Sequence, residues 1–130
     1  MQILNWMTSN PVCISPGDTL EKAGALMASG GFRQLPVVED SKLIGMITDR
    51  DLRQHRGYFG STRVGAAMTA PAIAISRDDS AEAAAKLLID RKIGALPVTE
   101  HGKVIGIVTT IDLLKALLCV VEATKEIIKR

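Results

Sequence analysis

The sequence predicts an α/β (α+β) fold: two pseudo-symmetric β-α-β-β-α repeats packed through their sheets. Three observations carry this. The chain repeats itself at an offset of 61, with 18 of the 47 aligned pairs from position 7 to 53 identical and no gap needed. Apolar residues switch, within each copy, between short β-rich runs and helical spacing. At 130 residues, each half is marginal alone and buries enough apolar surface only against its twin.

The elements follow in order. Val12-Cys13-Ile14 is a short apolar run ended by Pro16-Gly17, a strand and its turn. Asp18-Thr19-Leu20-Glu21 reads as a capping box with Asp18 as the cap. Leu20, Ala23, Leu26 and Met27 then fall on one helical face, which Gly30-Gly31 ends. Leu35-Pro36-Val37-Val38 is a second strand with its proline near the start or on an edge. Glu39-Asp40-Ser41 turns the chain. Leu43 to Ile47 is a nearly continuous apolar strand, as expected when both faces are covered. Thr48-Asp49 opens a helix bearing Asp51 and Leu52.

The second copy repeats each step. Ile73-Ala74-Ile75 is the strand and Asp79-Ser80-Ala81-Glu82 the cap. Leu96-Pro97-Val98 and Val104 to Val108 flank a tight hairpin, and Thr110 opens the last helix. The repeats divide as residues 1–62, with a linker at 54–62, and 63–130, with an extended C-terminal helix.

Composition narrows function. A net charge of +2 and 3% aromatic residues give neither a polyelectrolyte signature nor a stacking platform, so nucleic acid is not an expected partner. No stretch reaches membrane-span length and the N-terminus lacks a signal pattern, so a cytoplasmic location is the expectation. Cys13 and Cys119 are expected to be buried free thiols. His55 and His101 fall in a linker and a hairpin tip, where surface exposure is expected. No metal-ligand cluster, nucleophile elbow, phosphate loop or dinucleotide fingerprint occurs, so neither a catalytic set nor a metal site is expected.

Two constellations carry chemistry: Thr48-x-x-Asp51 and Thr109-x-x-Asp112. Threonine or aspartate at a helix start is ordinarily a cap. Here each aspartate lies inside the first turn behind a threonine already able to cap. Each pair also follows a buried strand, at the carboxyl end where crevices open in sheet proteins. A carboxylate there suits the vicinal hydroxyls of a ribose, and a helix start suits phosphate.

The run of Met-Thr, strand, capped helix, Leu-Pro-Val, hairpin and Gly-h-h-Thr-x-x-Asp (h apolar), present twice, resembles the cystathionine-β-synthase (CBS) domain. The resemblance runs from about Gln2 to about Leu118, and in size and final helix the chain looks like a stand-alone CBS pair of the acetoin-utilisation-like kind. It implies a sensor without enzymatic activity that binds adenosyl ligands (AMP, ADP, ATP or S-adenosylmethionine) in two clefts, with magnesium only alongside ATP. It implies that Asp51 and Asp112 hold ribose hydroxyls, that Thr48 and Thr109 contact ribose or phosphate, and that Met46 and Ile107 line the base. The walls borrowed from the other copy are then Ile73, Ile93 and Ala95 for the Asp51 cleft, and Val12, Phe32 and Gln34 for the Asp112 cleft.

The clefts differ in charge. Arg50 and Arg33 in the first copy correspond to Ile111 and Gly94 in the second, and Arg91 and Lys92 edge the Asp51 cleft where the first copy offers Gly30 and Gly31. Phosphate prefers charge-assisted donors, a guanidinium above all, so the Asp51 cleft is expected to favour a phosphate-bearing nucleotide. Apolar positions on three helices (Ala23, Leu26 and Met27; Ala83, Leu87 and Leu88; Leu113, Leu114 and Leu117) suggest a homodimer seam, with Val120 to Ile128 extending it or docking a separate effector protein. The competing reading is a protein-protein scaffold whose clefts are vestigial.

Overall fold

The computed structural model describes residues 1–129. Strand β1 (Thr8–Ser9) precedes helix α1 (Leu20–Gly30), strands β2 (Gln34–Glu39) and β3 (Lys42–Thr48), and helix α2 (Asp49–Gln54). Short helix α3 (Val64–Ala67) leads into β4 (Ile75–Ser76), α4 (Ala81–Arg91), β5 (Ala95–Glu100), β6 (Lys103–Thr109) and α5 (Thr110–Lys129). β2 and β3 form one antiparallel sheet; the other runs β1-β6-β5-β4. The sheets meet through β3 and β6, and across the hairpins the Leu43 N–H donates to the Gly102 carbonyl at 3.1 Å.

Repetition extends to hydrogen bonds. Asp40-Ser41 and His101-Gly102 are two-residue turns with both φ positive, between the pairs Glu39–Lys42 and Glu100–Lys103. That backbone matches the twist of paired strands. The first strand of each copy is shorter than expected. Ile14 makes a single parallel bridge to Val37, and β4 pairs only Ile75 and Ser76 with Val98 and Thr99.

The helix caps sit one residue later than the sequence suggests. Thr19, not Asp18, accepts the Lys22 N–H at 3.2 Å, and Ser80, not Asp79, accepts that of Ala83 at 3.1 Å. Asp18 and Asp79 instead turn back to accept the N–H groups of Ser15 and Ser76, at 3.0 and 2.8 Å. The Ser15 N–H bond, ahead of Lys22, holds the Asp18 carboxyl below its usual range.

Two hydrophobic cores lie under the helices, and each takes in a segment from the other copy. Ile3 packs with Ile75, Leu88, Leu96, Val98 and Val108. Val64 packs with Leu20, Met27, Leu35, Val37 and Ile47. Matching bonds fasten both segments. Ile3 N–H donates to the Asp79 carbonyl at 3.1 Å and Ala81 N–H to Met1 at 2.9 Å; Val64 N–H donates to Asp18 at 2.8 Å and Leu20 N–H to Thr62 at 3.0 Å. Each core therefore draws on chain from beyond the 62/63 division. The exchange matters for function because the chain, having joined β1 to β6, must cross to Ile14 in the first half.

Burial revises the expected seam and thiols. Ala23, Met27 and Leu88 are core residues. On α5, Ile111, Leu114, Leu117, Leu118, Val121, Ile127 and Ile128 remain exposed. Cys119 is exposed too, whereas Cys13 is half-buried and burial pushes its thiol pKa up.

Candidate functional site

A cavity of about 640 Å³ opens between the two copies at the start of α5. It forms where four stretches of chain converge, one of them contributing Gly94. The crossing segment contributes Thr8, Asn10, Pro11 and Val12. The turn after α1 and the foot of β2 supply Phe32, Arg33 and Gln34. The end of β6 and the first turn of α5 supply Ile107, Thr109, Thr110 and Ile111. Val12 and Phe32 are exposed for large apolar residues, at 41% and 36%. They leave an apolar wall open to a flat, poorly hydrated group.

Asp112 adjoins this cavity through Thr109. The Thr109 N–H and hydroxyl donate to Asp112 Oδ2 at 2.8 and 3.1 Å, while the Asp112 N–H donates to Thr109 Oγ1 at 3.2 Å. Asp51 and Thr48 make the same set at 2.9, 3.0 and 3.2 Å, a capping box that opens α2. The aspartates are thus caps as well as candidate ligand groups, sharing the work with threonine rather than standing free of it. Among the described residues, Oδ1 of each accepts no hydrogen bond. That oxygen is what each aspartate has left to offer a pair of hydroxyls.

Strand geometry aims both pairs. Ile107 pairs with Pro97 on one side and Thr8 on the other; Met46 pairs with Pro36 and bridges Thr69. The glycines that precede them let the neighbouring chain pass close. A Cβ on Gly45 would meet the Thr69 carbonyl oxygen and Met68 Sδ, both at 2.8 Å, and one on Gly106 would meet Met7 Sδ and Thr8. Thus the Met-Thr pair of one copy rests on the strand glycine of the other, which explains why both signatures recur.

Of the residues expected on the Asp112 side, Val12, Phe32, Gln34, Ile107 and Thr109 line one cavity, whereas Asp112 itself is not among its lining residues and reaches it only through Thr109. Arg33, assigned from sequence to the Asp51 side, lines this cavity as well. Its main chain does belong to the Asp51 helix start, where its carbonyl accepts the Asp49 N–H at 2.9 Å. The cavity's charge therefore departs from the sequence expectation. On the Asp51 side, Ile73 and Ile93 pack against the second core and Ala95 is buried opposite Thr109. Arg50 is exposed in the first turn of α2 and makes no ion pair among the described residues. His55 is half-buried rather than exposed, with Nδ1 3.0 Å from the Asp51 carbonyl oxygen.

Sequence reasoning missed Thr8, Asn10 and Pro11, whose role follows from the crossing path. It also missed Thr110, for which the helix start was the available signal, and named Ile111 and Gly94 only as the uncharged counterparts of Arg50 and Arg33. Among the described residues no helix is long and apolar enough to cross a membrane, and no cluster of three or more His, Cys, Asp or Glu side chains is placed to hold a metal.

The model of the CBS domain family matches residues 2–57 and 64–119. The CBS domain-containing protein YhcV of Bacillus subtilis is 33% identical over 110 residues, covering 82% of this chain and 79% of that one. Inosine-5'-monophosphate dehydrogenase of Mycobacterium leprae is 41% identical over 112 residues, but these span only 21% of its length against 84% of this chain. The structure of the AcuB protein of Vibrio cholerae superposes with TM-score 0.84 at 25% identity, over 97% of this chain and 96% of that one. The structure of CBSX2 of Arabidopsis thaliana in complex with AMP superposes with TM-score 0.81 at 28% identity, over 92% and 97%.

Proposed function

Because the chain belongs to the CBS domain family, we propose that it is a regulatory module that binds an adenosyl ligand between its repeats and performs no chemistry on it. One observation carries this reading: the cavity between the copies is lined by an apolar wall, by Arg33 and by the helix start at Thr109, to which Asp112 is bonded. In the proposed pose the base lies against Val12, Phe32 and Ile107, and the ribose hydroxyls donate to Asp112 Oδ1. Thr109 and Arg33 face the sugar and its phosphate. The bound AMP in the similar CBSX2 structure supports the ligand class.

This reading makes the Asp112 side the first seat, reversing the order expected from sequence. The Asp51 preference rested on Arg50, Arg33, Arg91 and Lys92, and of these Arg33 lines the other cavity. Asp51, Thr48, Met46 and Arg50 remain the proposed elements of a second seat. The exposed apolar stripe of α5 fits a symmetric homodimer, which would carry the ligand-dependent change to an effector protein.

Thermal melting with and without AMP tests the proposal. A ligand held only by the folded state raises stability by about 2.7 kcal/mol at a hundred times its Kd. The expected result is that Asp112→Ala removes most of that rise. A hydrogen bond to a charged group is worth about 1.5–3 kcal/mol, or roughly 10- to 150-fold in affinity. Asp51→Ala should leave the larger part of the rise. No rise with AMP, ADP, ATP or S-adenosylmethionine would leave the scaffold reading, to which the α5 stripe would then belong.

A further inference from the structure

Charge within the Asp112-side cavity is simple: among its lining residues only Arg33 carries a charged side chain. The counterpart of Arg33 in the second copy, Gly94, lines the same cavity. The two meet there because each is tied to the opening of the helix in its own half. The Arg33 carbonyl accepts the Asp49 N–H at 2.9 Å, and the Gly94 carbonyl accepts that of Thr110 at 3.0 Å. Strict repetition would bring two arginines to this point. The chain supplies one and leaves the other position bare. A Cβ built on Gly94 meets nothing within 4 Å, so the second position is open space.

We infer that the single arginine makes this cavity selective for a nucleoside monophosphate, over di- and triphosphates and over an adenosyl sulfonium. The inference rests on the nucleotide reading above and specifies its ligand. One guanidinium fork matches one terminal phosphate, and a phosphate monoester carries about −1.5 to −2 charges at neutral pH. The start of α5, where Thr110 and Ile111 line the wall, adds a partial positive charge of about one half. Each further phosphate brings negative charge that no lining cation meets. A sulfonium brings positive charge to Arg33 itself.

Isothermal titration calorimetry of the intact chain tests this with adenosine, AMP, ADP, ATP and S-adenosylmethionine, in an Asp51→Ala background that silences the other seat. AMP should bind about tenfold or more tighter than adenosine, ATP or S-adenosylmethionine, the scale of one charge-assisted contact. Arg33→Gln should bring AMP to the level of adenosine while leaving adenosine within about threefold of its starting affinity. Gly94→Arg, placed in the open position, should tighten ATP by about tenfold and end the lead of AMP. If Gly94→Arg fails to fold, Arg33→Gln decides alone. ATP or S-adenosylmethionine binding as tightly as AMP, or an AMP lead that survives Arg33→Gln, overturns the selectivity and leaves the nucleotide reading standing. Failure of all five compounds to bind overturns both.

Discussion

Ile3→Ala should destabilise the protein by about 2–5 kcal/mol, the range for truncating a fully buried aliphatic side chain. Domains of this size are worth only about 5–15 kcal/mol in total, so the melting temperature should fall by roughly 8–20 °C. The effect follows from placement. Ile3 has no exposed surface and packs among Ile75, Leu88 and Val108 of the other copy. Its N–H is bonded to Asp79. Chemical denaturation of Ile3→Ala beside Leu4→Ala checks this, because Leu4 is 39% exposed and should cost less than about 1 kcal/mol. Equal small losses for both would mean that the first segment does not dock on the second half.

Gly45→Ala should cost about 1–3 kcal/mol or more. The reason is not backbone freedom, since Gly45 has no left-handed φ. A methyl there would sit 2.8 Å from the Thr69 carbonyl oxygen. That oxygen accepts the Met46 N–H at 3.0 Å, and the Thr69 N–H donates to the Met46 carbonyl at 2.9 Å. Backing away to admit the methyl would therefore stretch the bridge that ties residues 68–69 to β3. Gly94→Ala is the control, since a methyl there meets nothing within 4 Å, and it should be neutral or slightly stabilising. Urea midpoints for the two variants separate the outcomes, and equal midpoints would contradict the close crossing.

Why some of this was legible in the amino-acid order and some was not has physical causes. The Thr-x-x-Asp pairs were legible because a cap, a turn and the end of an apolar strand are local signals, and the structure has both pairs opening helices. Both hairpins were legible because two-residue turns need residues that tolerate positive φ. The exchange of terminal segments was not. Met7-Thr8 and Met68-Thr69 are identical, and so are the glycines that receive them. Local chemistry makes either docking equivalent, and only the path of the connecting chain selects between them. The one-residue error in the caps has a similar origin. Asp18 and Thr19 are both good caps, and the choice fell to Thr19 because Asp18 is held by the Ser15 N–H.

The place of Arg33 was hard to read for a related reason. This residue stands at the foot of β2 between two helix starts, bonded through its main chain to one while lining the cavity of the other. No local pattern tells which way such a residue serves. The crossing of residues 10–12 from β6 back to the first half decides, because it closes the wall opposite Arg33 on the Asp112 side. Segment exchange and cavity are thus one feature of the fold.

The most direct measurement is a crystal structure of the protein grown with AMP. Nucleotide is expected in the cavity beside α5, with ribose hydroxyls on Asp112 Oδ1, the base against Phe32 and the phosphate on Arg33. AMP bound elsewhere, or seated there with its ribose turned away from Asp112, would contradict that placement.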